Sequence, residues 1–194
     1  MRSRQVVLSL GSNLGDRLAN LQAGIDLLTA APGLTPTAVS AVFETSPFGG
    51  PEVPEMPDQP DYLNAVLLAV SDLPGLEILG RCQAAEQARG RVRTVRWGRR
   101  TLDIDIVTYG EKISDDPRLT LPHPRAHERA FVLVPWHDVD PDARLPGSGR
   151  VADLIAGLET PPAGAPAGGA AAAVRRRSDL RLTTKAQAPA SQGG

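Results

Sequence analysis

The chain carries a single cysteine, Cys82, two lysines, and only three Phe, two Trp and two Tyr in 194 residues. One cysteine excludes an intramolecular disulfide framework and a cysteine-based zinc cluster. The N-terminal apolar stretch, residues 6–10, is too short for a signal-peptide core or a membrane span, so a cytoplasmic location is expected. A net charge of −1 excludes a protein that works through bulk positive charge. No GxxxxGK[ST] loop is present, which excludes a P-loop enzyme, and no GxGxxG fingerprint appears either.

A hydrophobic share of 41% over this length is enough for one buried core. The 19 glycines and 18 prolines predict many loops. Composition changes after Leu158, where alanine, glycine and proline replace large apolar side chains. Residues 1–158 are therefore expected to form the domain and 159–194 a disordered tail. The tail arginines Arg175, Arg176 and Arg177 read most simply as solvated.

Periodicity predicts a strand over 5–10, an amphipathic helix over 14–29 with Asp16 at its start, and strands over 37–45 and 62–70. A second helix over 75–88, a strand over 102–109, a helical segment from Arg129 and a last helix over 151–158 follow. Strand-helix-strand-strand-helix-strand is the split βαβ pattern, an α+β ferredoxin-like sandwich with a mainly antiparallel sheet and helices on one face. Cys82 shares a helical stripe with Leu79 and is expected in the core.

The run from Leu102 to Val107 carries the most chemistry. Alternation on a strand sends Ile104 and Ile106 one way and Asp103 and Asp105 the other. Their Cα atoms then lie about 7 Å apart, from a rise of about 3.3 Å per residue. Two carboxylates so placed suit a hard cation such as Mg²⁺ with phosphate oxygens beside it; read alone, the pair is equally a solvated strand face. Six arginines, at 89, 91, 93, 96, 99 and 100, precede the pair without an acid among them. Guanidinium groups grip phosphate oxygens through a planar fork, so the segment reads as a polyphosphate clamp. The other reading is an RNA-binding module on the same fold, but few aromatics fall on the expected strands. Tyr62, Asn64, Trp97 and Phe131 supply stacking faces and an amide for a flat heterocycle. His123 and His127 are four apart, but Pro124 between them argues against one helical face, and no metal is assigned to them.

With these residues in hand, the chain resembles the 6-hydroxymethyl-7,8-dihydropterin pyrophosphokinase family. The matching runs begin with Leu10-Gly11-Ser12-Asn13-Leu14-Gly15 and Gln59-Pro60-Asp61-Tyr62-Leu63-Asn64-Ala65. They continue with Gly90-Arg91-Val92-Arg93, Arg96-Trp97-Gly98, Arg100-Thr101-Leu102-Asp103-Ile104-Asp105 and Leu121-Pro122-His123. The resemblance implies a ferredoxin-like fold and diphosphate transfer from ATP to the hydroxymethyl pterin, with AMP as the other product. It implies that Asp103 and Asp105 bind two Mg²⁺ ions and that Arg91 and Arg100 act on the phosphates. Gln83, Glu86, His123 and Arg129 match the ATP side, with Thr120 and Ile106 near the adenine. Thr45, Phe48, Tyr62, Asn64, Trp97 and Phe131 match the pterin pocket. Expected partners are ATP and a dihydropterin, without nucleic acid or membrane, for a monomeric chain. Arg99 departs from the family, which has proline or a small residue there, and residues 49–58 form a longer segment than in short members. Segments 49–58 and 89–100 are expected to be the least ordered parts of the body without ligands. Two other functions fit the residues alone: Mg²⁺-dependent phosphotransfer to another acceptor, and RNA binding.

Overall fold

The computed structural model describes residues 3–47, 59–90, 99–159 and 174–184. The expectations for Phe48, Arg91 and Trp97, for all of 49–58 and for most of 89–100, lie outside the described residues. A strand that is apolar at successive positions needs cover on both faces. Strand β1 (Arg4–Ser12) has it, with Val6, Leu8 and Leu10 in one core and Val7 in another. It pairs antiparallel with β4 (Tyr62–Ser71) on one side and β5 (Asp103–Tyr109) on the other. The outer strands β2 (Leu34–Val39) and β3 (Val42–Thr45) both pair with β4.

The back face of the sheet is covered by α1 (Arg17–Thr29) and α2 (Gly75–Ala88), which pack Leu21, Ile25, Leu28, Ile78 and Cys82 against it. The front face is covered by α3 (Ala130–Val139) and α4 (Val151–Glu159) through Val132, Leu133, Trp136 and Val151. Helices on one face only was therefore the wrong expectation. Even-numbered apolar residues of β4 point forward and odd-numbered ones back, so both faces are apolar and both need a lid. Among the described residues, no helix is long and apolar enough to cross a membrane.

Local signals hold at several boundaries. Asp16 caps α1, its carboxylate accepting the Ala19 N–H at 3.0 Å, so the helix starts at Arg17 rather than at Leu14. The expected single strand over 37–45 is two. Ser40 breaks it, and the lost ladder bond is replaced as the Ser40 hydroxyl accepts the Val66 N–H at 2.9 Å. Two short hairpins were not foreseen: β6 (Ser114–Asp116) with β7 (Leu119–Leu121), and β8 (Arg144–Leu145) with β9 (Gly149–Arg150).

Disorder of the whole tail is also corrected. Residues Val174–Arg177 form β10, which adds antiparallel to the outer edge of β3. Leu182 then joins the back core, and Gln22 of α1 exchanges two hydrogen bonds with the Thr183 backbone, at 2.9 and 3.0 Å. Composition missed this because its partners lie far away in sequence.

Cys82 is a core residue, as its stripe predicted. Burial, with the charges of Glu86 and Asp105, pushes its thiol up to about 12. The nucleophilic thiolate is thus scarce at neutral pH. Iodoacetamide at pH 8 should leave the native protein unmodified and add one label in guanidinium, as read by intact mass. Rapid labelling of the native chain would contradict this burial.

Candidate active site

The front face changes character along its strands. Under α3 it is apolar, with Val7, Val66 and Val107. Beyond that, cross-strand pairing places Ser9 between Val66 and Asp105, and Gly11 between Asn64 and Asp103. Directly paired residues share a face, so Asn64, Gly11 and Asp103 form one row and Ser9 and Asp105 lie in the next. The small residues of β1 leave room above the centre of the sheet. A Cβ on Gly11 would stand 3.3 Å from Asn64 Oδ1 and 3.8 Å from Tyr62 Cδ1.

One side of this row is built for a polar ring edge. Asn64 is 3% exposed, and its amide donates to Thr45 Oγ1 at 2.8 Å. Thr45 pairs with Tyr62 across β3 and β4, so Tyr62, Asn64 and Thr45 occupy one patch. Phe131 lies in the first turn of α3 with the Arg129 guanidinium over its ring, 5.5 Å from the centroid.

The other side is ionic. Arg100 Nη1 donates to Asp103 Oδ2. Burial would lower the Arg100 pKa, but the Asp103 charge and hydrogen bond more than reverse this and raise it. Arg129 Nη1 donates to Asp105 Oδ2 at 3.1 Å, and His123 Nε2 lies 3.7 Å from the same oxygen. His123 Nδ1 accepts the Arg125 N–H at 3.1 Å, which leaves Nε2 to carry the proton of the neutral ring. Burial pushes the His123 pKa down; Asp105 opposes this and Arg129 adds to it, so the imidazole is neutral near pH 7. His127 turns elsewhere, its Nε2 lying 3.5 Å from Glu128.

Not every candidate joins this cluster. Glu86 is buried, and its Oε1 accepts the Ile104 N–H at 2.9 Å on the edge strand β5. Its described role is to bind α2 to β5. Ile106 belongs to the back core, Gln83 lies exposed on α2, and Thr120 on β7 donates to the Asp116 carbonyl at 3.3 Å.

Sequence reasoning read Asn13 as a turn residue and missed its reach. Its amide donates to Gln59 Oε1 at 3.1 Å, while Oδ1 accepts the Arg100 N–H at 2.7 Å. Its backbone N–H donates to the Arg100 carbonyl at 3.0 Å. Asn20 does similar work nearby, accepting two bonds from Arg89 at 2.7 and 3.1 Å and donating to the Leu14 carbonyl at 2.9 Å. The turn after β1 thus holds Gln59 and Arg100 through Asn13, and the first turn of α1 holds Arg89 through Asn20. An asparagine between two glycines of a turn was the signal the sequence offered.

The family model for 7,8-dihydro-6-hydroxymethylpterin-pyrophosphokinase (HPPK) matches residues 7–141. A 2-amino-4-hydroxy-6-hydroxymethyldihydropteridine pyrophosphokinase of Pseudomonas aeruginosa is 40% identical over 153 residues, 79% of this chain and 91% of that protein. The protein of the same name from Mycobacterium leprae is 47% identical over 169 residues, covering 80% of this chain and 83% of that one. Among solved structures, a Plasmodium falciparum HPPK-DHPS has a TM-score of 0.62 at 12% identity and is similar in fold over 82% of this chain. This chain spans 42% of that one. These likenesses place the chain among the pyrophosphokinases, a class of transferase. It belongs to the 7,8-dihydro-6-hydroxymethylpterin-pyrophosphokinase family.

Proposed function

We propose that the chain transfers diphosphate from ATP to the hydroxymethyl group of 6-hydroxymethyl-7,8-dihydropterin, giving AMP and the pterin diphosphate, a step of folate biosynthesis, and that the front-face cluster is where it does so. The observation that supports this placement is one sheet row, in which Gly11 separates Asn64 on one side from Asp103 on the other by a single strand each way. A heterocycle held at Asn64 has its substituent directed along the row toward the carboxylates.

Thr45, Tyr62, Asn64 and Phe131 serve the pterin, with Phe48 and Trp97 assigned to it from the sequence. Arg129 and His123 face the polyphosphate, Arg100 closes on the transferred group, and Arg91 joins it by sequence. Gln83, Thr120 and Ile106 are assigned to the nucleotide end from the sequence, although the Ile106 side chain itself packs in the back core, and Glu86 supports β5. The hydroxymethyl oxygen attacks the β-phosphorus in line. A new O–P bond forms, the bond to the bridging oxygen of AMP breaks, and the hydroxyl proton passes to a carboxylate of the Asp103–Asp105 pair.

The donor set suits Mg²⁺. That ion typically takes one or two protein carboxylates and fills its octahedron with phosphate and water oxygens. Asp103 and Asp105 offer two carboxylates on one face, and among the described residues no cluster of three or more ligand-type side chains competes for this role. Two Mg²⁺ ions held there would neutralise charge on the transferred group.

Incubation with ATP, Mg²⁺ and 6-hydroxymethyl-7,8-dihydropterin should yield AMP and a pterin diphosphate. ADP in place of AMP would rule out diphosphate transfer. No turnover, with ATP binding intact, would point to a different acceptor. Gly11→Val tests the geometry of the row. Its side chain enters the space beside Asn64 and Tyr62, and kcat/KM for the pterin should fall about 10²-fold. An unchanged kcat/KM for the pterin would remove Gly11 from the pocket.

A further inference from the structure

We propose that Glu44 is a positioning residue for the acceptor side of the site: Arg17, Arg175 and Arg177 grip its buried carboxylate and so lock β3, with Thr45, from the back of the sheet. The proposal rests on the reading that Thr45, Tyr62 and Asn64 hold the pterin. Strand β3 has four residues and pairs with β4 through only three of them. Such a short strand left at a sheet edge frays readily. Thr45 is its last residue and receives the Asn64 amide bond, so its place sets that amide.

Alternation puts Glu44 on the back face with Val42, opposite Thr45. At 7% exposure its carboxylate needs partners, and it has three guanidinium groups. Arg17 Nη1 donates to Oε1 at 3.0 Å, Arg177 Nη1 to Oε2 at 3.1 Å, and Arg175 Nη2 also to Oε2. Burial would raise the Glu44 pKa, but the Arg17 hydrogen bond and the charges of Arg177 and Arg17 hold it below the ordinary range. The same Arg17 nitrogen donates to the Asp61 carbonyl at 2.6 Å, one residue before Tyr62. One ionic knot therefore joins the pocket ends of β3 and β4.

The two tail arginines arrive because β10 pairs in a register that sets Arg175 opposite Glu44. Arg176 projects to the other face and donates to Asp138 Oδ1 of α3 at 2.7 Å; Asp138 Oδ2 accepts the Ala41 N–H at 2.9 Å, just before β3. The C-terminal strand thus braces β3 from both faces, and it lies beyond the residues that the family model matches.

The test uses full-length chains and calorimetry. ATP-side affinity is read with Mg²⁺ and α,β-methylene-ATP alone, and acceptor affinity by then adding 6-hydroxymethyl-7,8-dihydropterin. Arg175→Gln/Arg177→Gln and Glu44→Gln should each weaken the pterin by roughly three- to thirty-fold while leaving the nucleotide within two-fold. Arg175→Lys/Arg177→Lys should recover most of the loss. Arg175→Gln alone is the mild variant, since that side chain is 69% exposed and its loss does not threaten folding. Normal pterin affinity in the folded variants, or equal loss of both ligands, would overturn the brace. Asn64→Leu is the control for the pocket. If it binds the pterin normally, the pocket assignment fails; if it alone loses the pterin, only the brace fails.

Discussion

Asp103→Asn and Asp105→Asn should each lower turnover by on the order of 10³-fold while the protein stays folded. Both side chains lie on the front face of β5 and are partly exposed, at 21% and 37%. Asparagine keeps an oxygen that accepts from Arg100 or Arg129. The stability cost is therefore about 1–2 kcal/mol, within a typical surplus of about 5–15 kcal/mol. Removing one of two negative charges takes away what draws a divalent ion to the site, and leaves a guanidinium without its counter-charge. The activity loss should come with a raised Mg²⁺ requirement, read by titrating AMP formation against Mg²⁺. Near-normal turnover of either variant at ordinary Mg²⁺ would separate that carboxylate from the reaction.

Asn64→Leu should weaken the pterin by about 10–100-fold and leave the nucleotide unaffected. Leucine keeps the heavy-atom count and branching of asparagine but is bulkier and offers no hydrogen bond, so a thermal melt separates a packing cost from the lost recognition. A buried amide that meets a ring edge contributes about 1.5–3 kcal/mol when its loss leaves the ligand's polar atoms unpaired. Asn64 is buried, already oriented by Thr45 Oγ1, and separated from the carboxylates by Gly11. The split between the two ligands is the informative readout. A parallel loss of ATP affinity would mean that Asn64 supports the sheet rather than the acceptor. The binding isotherms should be paired with a thermal melt, because Thr45 Oγ1 also loses its partner in this variant.

Much of this was legible in the amino-acid order, and particular residues show why. Asp103 and Asp105 alternate with Ile104 and Ile106, and a period of two sorts them to opposite faces whatever the rest of the chain does. Asp16 caps α1 and Cys82 falls in the core because both signals are local. Tyr62 and Asn64 were read together for the same reason, two apart on one strand. Glu86 shows the limit. Its place in a matching pattern does not reveal that its carboxylate takes up the Ile104 N–H.

The sequence by itself determined the main strands and helices of the body, though not the break at Ser40 or the two short hairpins, together with the sides to which the carboxylates and isoleucines turn, and the family through runs of adjacent residues. Tertiary structure alone decided that Gly11 stands between Asn64 and Asp103, that Asn13 ties Gln59 to Arg100, and that an alanine- and glycine-rich tail returns to pair Arg175 with Glu44. The first group rests on periodicity and capping within a few residues. The second rests on strand register and buried charge across separations of up to more than a hundred residues, as the Glu44–Arg175 pair shows at 131. Register and long-range pairing are set by the whole sheet, so no local signal reports them.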